Sequence, residues 1–233
     1  MNWQRGGSKA VDTVVKAEVS RVSTFDEKRF FDVIRPFFGS LSQEQVDGIK
    51  GIIKAFKEVG DGDIDTLAYS LATAYHETGK RMVPVREGFA KTDKGARSAV
   101  AKLAAKRGPS SAPAKYGQPA GPYGHVYYGR GHVQLTWLHN YRNSSKDAGV
   151  DLEKYPDKML DPVISARVLI RGIMDGRWNG QGKGIDFYEG DDDKLSREEA
   201  TQARRLVNVQ DKALTIAVYF EHFYNALKVS GFK

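Results

Sequence analysis

A mainly α-helical domain is what this sequence predicts, with at most one small β-hairpin. Three observations carry that expectation. Apolar residues recur at helical spacing in one segment after another, and helix-start signals stand in front of those segments. Only the stretch 127–136 mixes aromatic, β-branched and glycine residues as a short strand would. At 233 residues the chain can bury a substantial core, and one domain divided into two lobes by a cleft is the expected arrangement.

Residues 1–23 read as an N-terminal arm or short helix. Val11, Val14, Val15, Val19 and Val22 recur near helical spacing, although β-branched residues make a mediocre isolated helix. Residues 24–233 are expected to form the single domain. Phe30, Phe31, Val33, Ile34, Phe37 and Phe38 share an apolar face, punctuated by Pro36. Ser42 with Gln45 makes a capping box ahead of a second helix, which Gly60 stops. Asp63 opens a third, where Ile64, Leu67, Ala68, Leu71, Ala72 and Tyr75 line one face as far as Gly79. Residues 80–126, dominated by Gly, Pro, Ser, Lys and Arg, read as a long irregular insertion near the cleft, with a short helix over 96–106. Thr136 is expected to cap the helix that follows it. Asp161-Pro162 is a helix start, Ser196 with Glu199 a second capping box. A last helix from about Asp211 carries Leu214, Ile216, Ala217, Tyr219, Phe220, Phe223 and Leu227.

The absence of cysteine excludes disulfides and thiolate chemistry. Lysine and arginine, 36 together, exceed the 29 acidic residues, and a net charge of +7 favours polyanionic surroundings. The basic residues are spread along the chain without a recognition stripe, so no nucleic-acid partner is expected; a weak attraction to an anionic cell envelope is. The densest cluster, residues 91–108, reads as a solvated loop or short exposed helix. No run of about 18 apolar residues exists for a membrane span. The N-terminus lacks the apolar core of a signal peptide, so synthesis in a cytoplasm is expected.

The chemistry concentrates between residues 71 and 140. Glu77 stands on the last turn of an apolar helix, where the negative end of the helix dipole and the neighbouring Tyr75 and His76 would favour a protonated carboxyl. Glu87, in a loop beside Arg86 and Arg81, would stay ionised. One protonated and one ionised carboxyl are what glycoside cleavage by acid and base needs. Gly129 and Gly131 would let backbone approach a substrate closely. Gln134, Thr136 and Asn140 offer amide and hydroxyl groups for sugar hydroxyls or a water. Tyr127, Tyr128 and Trp137 offer flat apolar faces to pyranose rings, or fill the core.

HETG at 76–79, the glutamate of REGF, and YYGRGHVQLTWLHNY at 127–141 together resemble glycoside hydrolase family 19, and most closely its lysozyme-like branch of phage endolysins. The resemblance spans roughly residues 24–223. It implies a lysozyme-like, two-lobed helical fold and hydrolysis of a β-1,4 bond beside an N-acetylated sugar, generally with inversion. Inversion would set the two carboxyls about 6.5–9.5 Å apart. Glu77 corresponds to the proton donor, with Glu87 as base and Thr136 completing the catalytic set. His76, Tyr128, Arg130, Gln134, Trp137, Asn140 and Asn208 form the expected saccharide-binding set; Asn208 lies in RRLVNVQ, with Arg204 and Arg205 beside it. The sequence departs from the family pattern at His132, in place of a proline, and at His139, in place of a tyrosine.

Peptidoglycan, cut between N-acetylmuramic acid and N-acetylglucosamine, is the expected substrate of such an endolysin, with chitin as the alternative. No metal or organic cofactor is expected, the chain is expected to be a monomer, and it would act on the cell wall after release from the host cytoplasm. Two other classes compete. A metal-dependent wall amidase would draw on His76, His125, His132 and His139, though HETGK is not a metal-binding HExxH pattern. A non-enzymatic envelope binder would draw on the net charge, and the basic-flanked last helix could touch anionic membranes.

Overall fold

The computed structural model describes residues 25–190, 194–208 and 211–233; the expected N-terminal arm or helix over 1–23 lies outside them. Nine α-helices and a two-residue strand pair are found among the described residues. The helices are α1 (Glu27–Phe38), α2 (Gln43–Val59), α3 (Ile64–Glu77), α4 (Asp93–Arg107), α5 (Ala112–Tyr116), α6 (Leu138–Ala148), α7 (Pro162–Asp175), α8 (Arg197–Gln202) and α9 (Ala213–Val229). The strands are β1 (Val85–Arg86) and β2 (Arg130–Gly131). The mainly helical class is therefore the observed one.

Local signals set the helix starts. The Ser42 hydroxyl accepts the Gln45 N–H while the Gln45 side chain accepts the Ser42 N–H, and Ser196 with Glu199 repeats the arrangement. Asp161 accepts from Val163 and Ile164 with Pro162 at the first helical position.

The larger lobe is built around α3, which packs against α9, α7 and α2. Every α3 residue from Asp65 to Tyr75 is buried, so the helix has no solvent face; the single apolar face expected from periodicity is too narrow a description. Small residues (Ala68, Ala72, Ala74) let its neighbours approach closely on all sides. On α9, Ile216, Ala217, Phe220, Phe223, Ala226 and Leu227 are buried in this core. The apolar side that might have met a membrane is thus covered, although Leu214 is exposed. Phe37 likewise leaves the core and stacks on His222 at the surface.

The smaller lobe has its own apolar cluster of Ala96, Val100, Val126 and Tyr128, with Ala90 and Tyr116 packed against it. It corrects the reading of 80–126 as largely irregular. Thr92 caps α4 by accepting the Gly95 N–H, the alanine-rich sequence has high helix propensity, and the helix runs 15 residues before Gly108 ends it at φ +90°. β1 and β2 join the lobes in an antiparallel pair with Val85 opposite Gly131 and Arg86 opposite Arg130. The strand expected within 127–136 therefore finds its partner in the PVREGF segment, and closes locally only through a bridge from Arg130 to Leu135.

Candidate active site

A cavity of about 430 Å³ opens between the lobes. The larger lobe contributes Glu77, Gln134, Thr136, Trp137 and Asn208, and the smaller lobe contributes Glu87, Arg107, Pro113 and Tyr116. Two glutamates ten residues apart in sequence thus line one cavity.

Glu77 is the last residue of α3, and only 15% of its side chain is exposed. Its Oε1 accepts a 2.6 Å hydrogen bond from Nη2 of Arg204, a fully buried residue that also donates from Nε to the Asp211 carbonyl at 3.0 Å. Sequence spacing does not point to this partner, because Arg204 lies 127 residues from Glu77. Its adjacent Arg205 instead bonds Gln202 at the surface. The hydrogen bond at Oε1 leaves Oε2 as the oxygen available to a substrate. His76, half-buried alongside, does not line the cavity; burial holds its imidazole below the usual histidine range, opposed by the nearby Glu77 charge.

Glu87 begins a 3₁₀ turn (Glu87–Phe89) and is held by two donors that sequence reading did not name. Tyr116 donates its hydroxyl to Oε1 at 2.7 Å, and the Gly129 N–H donates to Oε2 at 2.8 Å. The Gly129 carbonyl in turn accepts the Glu87 N–H at 2.7 Å. Burial, then the bond to Glu87, pushes the Tyr116 phenol far above its ordinary range, so it keeps its proton and remains a donor. The expected arginine neighbours are elsewhere: Arg86 pairs with Asp157 at 2.8 Å and Arg81 lies over the Phe89 ring. Each Glu87 oxygen keeps a second lone-pair site for a water.

Thr136 does not cap α6. That position belongs to Trp137, at φ +72° and without a side-chain cap bond, which leaves the Thr136 side chain on the cavity wall. Trp137 meets the Tyr116 ring edge-on at 5.5 Å. Gln134 also lines the wall, yet its amide nitrogen donates to the Val85 and Gly131 carbonyls, so it braces the strand pair with that end. Asn140 is buried in a small hollow that shares Gln134 and Thr136 with the cavity. Asn208 stands at the cavity's edge.

Besides His76, two further members of the expected saccharide-binding set lie outside the cavity. Tyr128 is fully buried, donates to Asp93 at 2.9 Å and lies under the Arg130 guanidinium. Arg130 is 2% exposed, pairs with Asp157 at 2.8 Å and donates to the Val126 and Tyr128 carbonyls and the Tyr141 hydroxyl. Both hold the small lobe together. The glycines flanking Arg130 also serve internal packing: a Cβ on Gly129 would meet the Gln134 side chain at 2.8 Å, and one on Gly131, where φ is +86°, would meet Ser165 at 2.6 Å. His132 is buried against the Met82 carbonyl, and burial lowers it to about 4.

The glycoside hydrolase family 19 model, described as chitinase class I, matches residues 47–179. The chain belongs to glycoside hydrolase family 19. The family 19 match takes in Glu77, Glu87, Gln134, Thr136 and Asn140, while Arg204 and Asn208 lie beyond it. Among relatives, endochitinase CH5B of Phaseolus vulgaris is 33% identical over 171 residues, which cover 70% of this chain and 49% of that one. Endochitinase A2 of Pisum sativum is 44% identical over 48 residues, 20% of this chain and 15% of that one. The chain thus spans at most about half the length of these two relatives. A crystal structure of a chitinase C mutant aligns with 89% of this chain and 93% of its own at 19% identity and a TM-score of 0.41.

Proposed function

We propose that this family 19 chain hydrolyses β-1,4 glycosidic bonds in a polymer of N-acetylglucosamine. The observation that carries the reading is the pair of differently held carboxyls facing one cavity from two lobes. Glu77, protonated when substrate is bound, gives that proton through Oε2 to the departing glycosidic oxygen, and Arg204 then pairs with the carboxylate that remains. Glu87, oriented by Tyr116 and Gly129, takes a proton from the water that attacks the sugar's anomeric carbon. The Thr136 hydroxyl and the Asn208 side chain, which line the cavity, contact the water or the N-acetyl group in this reading.

The relatives are named as endochitinases, which favours chitin over the peptidoglycan that the sequence put first. Peptidoglycan stays as a second reading because the net charge of +7 suits an acidic wall better than a neutral one. Mass spectrometry of fragments from chitin oligomers and purified peptidoglycan, digested in parallel, identifies polymer, bond and reducing-end sugar together. A Glu77→Gln variant that releases reducing ends as fast as the parent would overturn the acid–base assignment.

A further inference from the structure

A second hollow stands apart from the cleft. A groove of about 560 Å³ lies along α4 and the 154–158 segment and shares no lining residue with the cleft. Its two carboxylates are already engaged: Asp93 by Arg97 at 2.7 Å and by the Tyr128 hydroxyl, Asp157 by Arg130 and Arg86, each at 2.8 Å. Lys154 and Lys158, both exposed on the groove, have no carboxylate within ion-pair distance among the described residues. Among the residues that line the groove, Arg97, Arg130, Lys154 and Lys158 therefore outnumber Asp93 and Asp157 by two. Tyr155, which lines the groove, is 48% exposed, with the Lys154 ammonium 5.2 Å from its ring centroid.

A half-exposed aromatic side chain beside ammonium groups that form no ion pair with a carboxylate fits a pyranose ring that carries an anionic substituent. We propose that this groove is a second saccharide site, which holds a glycan strand bearing carboxylates on its sugars and so recruits an acidic wall polymer in preference to neutral chitin. The inference rests on the second reading above, in which the chain acts on peptidoglycan.

The test is the double variant Lys154→Glu/Lys158→Glu, with Tyr155→Ala as a separate variant. Co-sedimentation with peptide-free peptidoglycan strands and with chitin, both in a Glu77→Gln background, reads binding; reducing-end release from chitohexaose by otherwise native protein reads turnover. Strand binding is expected to weaken about tenfold in the double variant, as two exposed ionic contacts turn from attractive to repulsive. Added salt should produce the same loss in the parent. Chitin binding and chitohexaose turnover should stay within twofold. Tyr155→Ala should weaken strand binding at high salt, where the charges are screened. Unchanged strand binding, an equal loss on chitin, or binding to intact sacculi but never to peptide-free strands would each overturn the site. Absence of hydrolysis with the binding contrast intact would instead sink the glycosidase reading alone.

Discussion

Replacing Arg204 by methionine removes the guanidinium that fixes Glu77 and leaves a mostly buried carboxylate on the cavity wall without its partner. Arg204 is 1% exposed and Glu77 15%, and the bond between them measures 2.6 Å. Breaking a buried pair by removing one partner costs about 3–5 kcal/mol, and the residual exposure of Glu77 places this case near 3. For a chain of this size that lowers the unfolding midpoint by roughly 6–12 °C. A carboxyl displaced by about 1 Å loses on the order of a hundredfold in kcat. Thermal unfolding and reducing-end release from chitohexaose read the two effects separately. Glu77→Gln strands the Arg204 charge in the same way, whereas the double variant Glu77→Gln/Arg204→Met leaves neither charge. The double variant should therefore be more stable than the sum of the single losses by roughly 3 kcal/mol, while remaining inactive. Strict additivity, or an Arg204→Met midpoint within about 2 °C of the parent, would refute the argument that the pair is a coupled buried unit.

Tyr116→Phe deletes the donor to Glu87 Oε1; stability should fall by about 1.5 kcal/mol and kcat by about tenfold with KM within twofold, and a change confined to KM would count against a role in holding the base. Glu189 offers a test of pH. Burial, then the charges of Asp63, Asp186, Asp65 and Asp61, raises it from its ordinary value of 4.5 to about 7. The folded state thus binds this proton more tightly than the unfolded chain, so the stability it contributes is complete below pH 4.5 and is lost as pH rises through about 7. Glu189→Gln should accordingly raise the unfolding midpoint at pH 8 and leave it unchanged at pH 4; the reverse order would show that the carboxylate is stabilised as an anion.

Much of this architecture could be read from short stretches of sequence. The caps at Ser42, Asp63, Asp161 and Ser196 all form where the residues announce them, because each cap bond spans no more than three residues. Glu77, Gln134 and Thr136 could be named from the two central motifs, and all three reach the cleft. The electrostatic surroundings of the two glutamates could not. Arg204 meets Glu77 across 127 residues, and Tyr116 meets Glu87 across 29, from a helix that sequence alone assigned to irregular chain. The same holds for Tyr128 and Arg130, whose polar and aromatic character suits a sugar site as well as it suits the interior of a small lobe. Hydrogen bonds within one helical turn follow from residue type and spacing. Which buried charge finds which partner, and which ring faces solvent, is settled only when helices distant in sequence pack and exclude water between them.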